Sequence, residues 1–116
     1  MKSYTDIEQS KKLAKILPLK SADFGWNVFV DGTSRILPIN DWDLTKDGSS
    51  GVKFFLCWSL AALLGVLPEI QGSKPIIALD DNYITYPHMS DLHTKADNLV
   101  DACVAMIEKL HELNLL

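Results

Sequence analysis

Several things are scarce in this chain, and each scarcity removes a class of explanation. Only two cysteines occur, Cys57 and Cys103, and both lie in apolar surroundings. That pattern predicts reduced, buried thiols and excludes a disulfide framework. The longest apolar run, Phe54 to Leu67, falls short of the roughly 17–25 residues a membrane span requires. After Lys2 no apolar segment follows in "MKSYTDIEQSKK", so no secretory leader is expected and a cytoplasmic location is. No glycine-rich loop follows a strand-like segment, which argues against a dinucleotide-binding fold and leaves no cofactor expected. Basic charge is sparse outside the first twenty residues. There, five lysines face Asp6 and Glu8, a balance of +3, while the remainder carries −7. An acidic body repels nucleic acid, and one short basic helix offers few phosphate contacts, so nucleic acid is not expected as a partner.

What is present reads as a single domain over residues 1–116, ordinary in its hydrophobic content of 47% and its charged content of 22%. Thr5 and Glu8 have capping-box spacing, and Ile7, Leu13, Ala14, Ile16 and Leu17 form an apolar helical stripe that Pro18 ends. Phe24, Trp26, Val28 and Val30 alternate with other residues, Asp31-Gly32 signals a turn, and Arg35 to Leu37 return as a partner strand. Residues 40–51 form a long polar loop, and Val52 to Leu56 are a strand or an extended lead into the next helix. That helix, Leu60 to Leu67, is expected to be capped by Ser59, largely buried, and stopped by Pro68. "IIALDDNYITYP" reads as a second hairpin around Asp81-Asn82, closed by Pro87. Leu99, Ala102, Cys103, Met106, Ile107, Leu110 and Leu113 mark a last amphipathic helix, which begins at Thr94 or at Asn98. The expected fold is α+β: a two-layer sandwich in which one antiparallel sheet of three to four strands packs on three helices, in the order α-β-β-α-β-β-α.

Candidate chemistry is thin. His88, Asp91 and His93 lie within six residues and are metal-ligating types, but their spacing fits no zinc motif and no fourth ligand is supplied. A polar connector between the last strand and the last helix is the competing reading. "HEL" at His111 fails as a zinc-protease motif because the fifth position is Leu115. From Asp43, oxygen side chains fall at the first, third and fifth places of a calcium-type loop with Gly48 at the sixth, but Phe54 stands where a bidentate Glu is required. Ser59 is accounted for as a cap, and burial blunts Cys57 as a nucleophile. Asp41/Asp43 and Asp80/Asp81 are acid pairs suited to turns more than to acid–base work. Trp42 lies in a polar loop that gives it no obvious core, which is the position of an interface anchor.

Three segments carry a resemblance. Tyr4, Thr5, Gln9 and Ser10 lead to Ser21, Ala22 and Asp23; Trp58, Ser59, Leu60, Leu63 and Leu64 form a Trp-Ser-Leu-x-x-Leu-Leu helix; Asp101 and Ala102 open the last one. In these the chain resembles a family of small uncharacterised proteins of anaerobic gut bacteria and their phages or mobile elements. The resemblance covers about half of the chain and implies a single α+β domain in a mobile-element setting. It implies no catalytic residue. The reading that follows is a non-enzymatic interaction module, binding a protein partner or a second copy of itself, with Trp42, Lys11, Lys12 and Lys15 as interaction residues. The rival is a small metal-dependent or acid–base enzyme using His88, Asp91 and His93.

Overall fold

In the computed structural model, which describes residues 2–38 and 53–116, the first helix begins at an Asp-x-x-Gln box. Asp6 accepts from the backbone N–H of Gln9 at 2.8 Å, and the Gln9 side chain accepts from the Asp6 N–H at 3.1 Å. The capping box is therefore one residue later than the Thr5/Glu8 spacing suggests. Thr5 is unavailable as a cap because it is fully buried and its hydroxyl is engaged elsewhere. Helix α1 spans Ile7–Leu13. Its inward residues are Leu13 and, beyond its end, Leu17, with Ile16 half-buried; Ala14 faces out. A short 3-10 turn, Leu19–Ser21, leads to the first sheet.

Strands β1 (Phe24–Val28), β2 (Ser34–Pro38) and β3 (Lys53–Cys57) form an antiparallel sheet in the order β2-β1-β3. The β1–β2 turn relies on Asp31, whose carboxylate accepts from the Thr33 N–H and hydroxyl, and on Gly32 at φ 88°. Only glycine enters that region without steric cost. Val52 and the 40–51 loop lie outside the described residues; the strand after them is β3.

Helix α2, Leu60–Val66, is capped by Ser59, whose hydroxyl accepts from the Ala62 N–H at 3.2 Å. Its expected burial is only partly realised. Leu63 is fully buried, but Ala61 and Gly65 face solvent and the other leucines are half-buried. It is a flanking helix, packed beside the last one. The chain then builds a second antiparallel sheet in the order β4-β5-β6, from β4 (Ile76–Ala78), β5 (Tyr83–Tyr86) and β6 (Met89–Lys95). The final helix, α3 (Leu99–Glu112), packs on β5 and β6. Asn98, not Thr94, is its cap: the Asn98 side chain accepts from the Asp101 N–H at 2.9 Å.

The observed fold is thus α+β, with three helices on two three-stranded antiparallel sheets, and the single sheet of three to four strands is corrected to two sheets. The missed strand is β6. Its sequence, "MSDLHTK", is polar enough to read as a connector, but Leu92 is buried while Asp91, His93 and Lys95 face out, the two-residue period of a strand covered on one side. Pro87 does not end the sheet; it occupies the turn between β5 and β6. Among the described residues no helix is long and apolar enough to cross a membrane.

One core cluster joins the helices to the second sheet. Trp58, Leu63, Ile84, Tyr86 and Leu92 surround α3, which alone contributes Leu99, Val100, Ala102, Cys103, Val104, Met106, Ile107 and Leu110. Neither β1 nor β2 supplies a residue to it.

Candidate functional site

Thr5, Gln9, Ser10, Asp23, Trp58, Ser59 and Asp101, among the residues that carried the resemblance, are hydrogen-bonded in a polar junction. Thr5 is its hub. The Thr5 N–H donates to the Trp58 carbonyl at 3.0 Å, and the Thr5 hydroxyl accepts from the Trp58 N–H at 3.1 Å. Its hydroxyl also shares a 2.8 Å hydrogen bond with Ser10. The Thr5 carbonyl accepts from Trp26 Nε1 at 2.8 Å and from the Cys57 thiol at 3.5 Å. Every polar group of this buried residue is therefore satisfied by another element, as burial without water demands.

Two carboxylates complete the junction. Asp23 accepts from the Ser59 N–H at 2.9 Å and from the Ser59 hydroxyl, tying the entry of β1 to the cap of α2. Asp101, in the first turn of α3, accepts from Lys2 Nζ at 2.8 Å, Gln9 Nε2 at 2.7 Å and Asn98 Nδ2 at 2.9 Å. Partial burial opposes its charge, yet the bonds from Lys2, Gln9 and Asn98 outweigh that and hold its pKa below the usual range. A position in the first turn of a helix also favours a carboxylate. Desolvation likewise works against the charge of Lys2, but its bonds to Asp101 and Asp6 prevail and raise its pKa. This arrangement pins carboxylates and hydroxyls instead of freeing them. Ser59 both donates to Asp23 and accepts from Ala62, and Cys57 is buried with its pKa raised mainly by desolvation, so neither is a primed nucleophile. Cys103, also free and fully buried, is pushed up to about 12 by desolvation.

His88, Asp91 and His93 fall on the solvent side of the second sheet. His88 lies in the β5–β6 turn, and Asp91 and His93 share the outward face of β6, where the His93 ring lies 5.9 Å from that of Tyr83. Among the described residues no group of three or more histidine, cysteine, aspartate or glutamate side chains is placed to hold a metal ion. Asp80 and Asp81 are exposed in the β4–β5 turn, and His111 is exposed near the end of α3. Trp42, the pair Asp41/Asp43 and the calcium-type loop from Asp43 lie outside the described residues.

Lys11, Lys12 and Lys15, expected from the sequence as interaction residues, are all exposed on or just beyond α1. Two of them, Lys11 and Lys15, line a cavity of about 520 Å³ together with Ser10, Ala14, Leu19, Phe54, Phe55 and Leu56. The Lys11 ammonium stands 5.1 Å from the Phe55 ring centroid and 3.6 Å from Glu8 Oε1. A cation over an aromatic face is attracted by the ring quadrupole, typically by roughly 0.5–1 kcal/mol at an exposed site. The groove thus has an apolar floor and a basic rim. Sequence reading found the lysines through their charge but not the floor, because Phe54 to Leu56 read only as a strand or an extended lead into the next helix.

Comparison of the chain with family models, curated proteins and solved structures found no match. The resemblance drawn from the junction residues gains no support there, and their roles are those the geometry gives them.

Proposed function

We propose that this protein is a non-enzymatic interaction module that binds an acidic, partly apolar segment of a protein partner in the groove between α1 and β3. The observation that carries this reading is the meeting of Lys11 and Lys15 with Phe54, Phe55 and Leu56 around one cavity. Aromatic and aliphatic groups supply area that a partner removes from water, and the rim charges select its sign. Lys12, exposed on the outer flank of α1, adds to the field without lining the groove. Two fully buried thiols fit a reducing, cytoplasmic setting for such a module. The metal-dependent alternative is less well served, since its residues lie on an open strand face and its turn.

Fluorescence anisotropy with a labelled peptide of alternating glutamate and valine tests the reading against a lysine–valine counterpart. The acidic peptide is expected to bind, and to weaken as salt rises, because exposed charges are screened within roughly 8–10 Å at 0.1–0.15 M. The double substitution Lys11→Glu/Lys15→Glu is expected to remove that binding while circular dichroism stays unchanged. Equal affinity for both peptides would sink the proposal.

A further inference from the structure

Resting on that interaction reading, we infer what the partner is: a second copy of this chain, whose β4–β5 turn, Leu79-Asp80-Asp81, seats in the groove beside Lys11 and Lys15. The turn is itself an acidic, partly apolar segment. Leu79 is 70% exposed, and Asp80 and Asp81 beside it are exposed as well. Among the described residues no ion pair engages either carboxylate. No lysine or arginine occurs in the chain between Lys74 and Lys95, so no basic neighbour in sequence offsets the charge of the turn.

The other exposed apolar side chains match the groove less well. Val30 adjoins Asp31, whose carboxylate is taken up by the Thr33 N–H and hydroxyl. Ile76 follows Lys74 and Pro75, the wrong sign for a basic rim. Leu113 has Glu112 before it but Lys109 and His111 in the same turn of α3, and Leu116 has no acid within three residues. Leu19 lines the groove itself, so it is part of the seat.

The turn arrives preformed. The Asp81 N–H donates to the Ala78 carbonyl at 3.3 Å, and Asn82, at φ 50°, donates from its side chain to the Asp97 carbonyl at 3.1 Å. Docking a segment already fixed avoids most of the ordering cost that a flexible peptide incurs. A groove of about 520 Å³ falls within the roughly 300–1,000 Å³ of sites for compact ligands, and a tip of one leucine and two aspartates is of that size. In the contact Leu79 leaves water against Leu19 and Phe55, while Asp80 and Asp81 approach Lys11 and Lys15. The exposed Glu8, 3.6 Å from Lys11, competes weakly for that ammonium. Groove and turn are unlike surfaces on different sheets. Such a contact forms twice in a closed dimer or in series in a longer assembly, and either grows with concentration.

Sedimentation velocity on the full chain tests this. The parent is expected to self-associate as its concentration rises, weakly, because one turn buries less area than a standard interface. Lys11→Glu/Lys15→Glu and Asp80→Lys/Asp81→Lys are each expected to stay monomeric alone, with unchanged circular dichroism. Mixed, they are expected to associate, since the acidic turn of the first then meets the basic groove of the second. Leu79→Ser, which alters no charge, is expected to weaken the parent's association by about tenfold or more. The glutamate–valine peptide is titrated in parallel. If the parent remains monomeric at every concentration while the peptide still binds through Lys11 and Lys15, the second copy is overturned and the interaction reading stands. Self-association that survives Asp80→Lys/Asp81→Lys, or a mixture that stays monomeric, overturns the turn as the occupant. A peptide indifferent to the lysine substitution, with no acidic preference, overturns both.

Discussion

The two sheets of this protein have the same number of strands and opposite means of support. The second, β4-β5-β6, has one face covered by α3, and its inward residues Ile84, Tyr86 and Leu92 are core. The buried positions of β1, the central strand of the first sheet, are Gly25 and Asn27. Apolar side chains are abundant in the first sheet, but Trp26, Ile36, Leu37, Phe54 and Phe55 are only half-buried. Burial of apolar area stabilises the second region, at roughly 25 cal/mol per Å² removed from water. The first region depends more on backbone pairing and on the junction at Thr5, Asp23 and Asp101. The groove lined by Phe54, Phe55 and Leu56 lies in this region, where the apolar side chains are half-buried.

The largest expected effect tests this contrast directly. Ile107→Ala removes a fully buried side chain from α3 and is expected to cost about 2–5 kcal/mol, read from the denaturant midpoint. Ile36→Ala, on the half-buried β2, is expected to cost under about 1 kcal/mol. Similar losses would erase the distinction between the sheets.

Alkali discriminates next. Unfolded Cys103 ionises from about 9.0, whereas the folded thiol stays neutral up to about 12, and Tyr86 behaves alike from 10.0 up to about 12. Both groups prefer the protonated form when folded, so their contribution is complete below the unfolded pKa and is lost as pH rises toward 12. Unfolding curves recorded across that interval are expected to show falling stability, with a shallower slope in Cys103→Ala. An unchanged slope would show that Cys103 is not desolvated as described.

Gly25 probes the first sheet. A Cβ added there would overlap the Phe54 ring at Cε2 and Cζ, so the ring must move. Gly25→Ala is expected to cost about 1–3 kcal/mol, as overpacking does, and much less in a Phe54→Ala background. Additive losses in the double variant would refute the contact as the cause.

The smallest effect is at the junction. Asp101→Asn removes the charge that Lys2 and Gln9 meet and is expected to cost about 1 kcal/mol, since the pair is partly exposed. Faster hydrogen exchange of the Thr5 and Leu60 amides, which bond to Trp58 and Ser3, would report the loosened N-terminal segment. The folded carboxyl titrates below its ordinary 3.8, so its contribution is present above that pH and is lost as pH falls through the lowered value. Between pH 7 and 2 the variant is expected to lose less stability than the parent.

How much was legible varied with the range of the interaction. Helix α3 was, because Leu99, Ala102, Cys103, Met106, Ile107 and Leu110 recur at three- and four-residue steps and are buried, although Leu113, read into the same stripe, lies exposed at the C-cap. The Ser59 cap was also legible, since it acts within three residues. Strand β6 was hidden because its outward residues are the memorable ones, His93 and Asp91, and its burial depends on a helix that follows it. The capping box was placed one residue early because Thr5 and Asp6 are both competent caps. Thr5 is claimed by Trp58, some fifty residues away, and no local spacing shows that. The groove was half visible: charge marked Lys11 and Lys15, but only the fold brings Phe54, Phe55 and Leu56 beside them.

By itself the sequence determined the periodic elements, the reduced buried thiols and the uneven charge, because these follow from composition and from contacts a few residues apart. The tertiary structure alone decided that there are two sheets, that Thr5 ties the N-terminal segment to Trp58 while Asp101 ties it to α3, and that basic and apolar residues meet along β3. Those outcomes depend on which surfaces compete for each buried group, and residues far apart in the chain settle that competition only once it has folded.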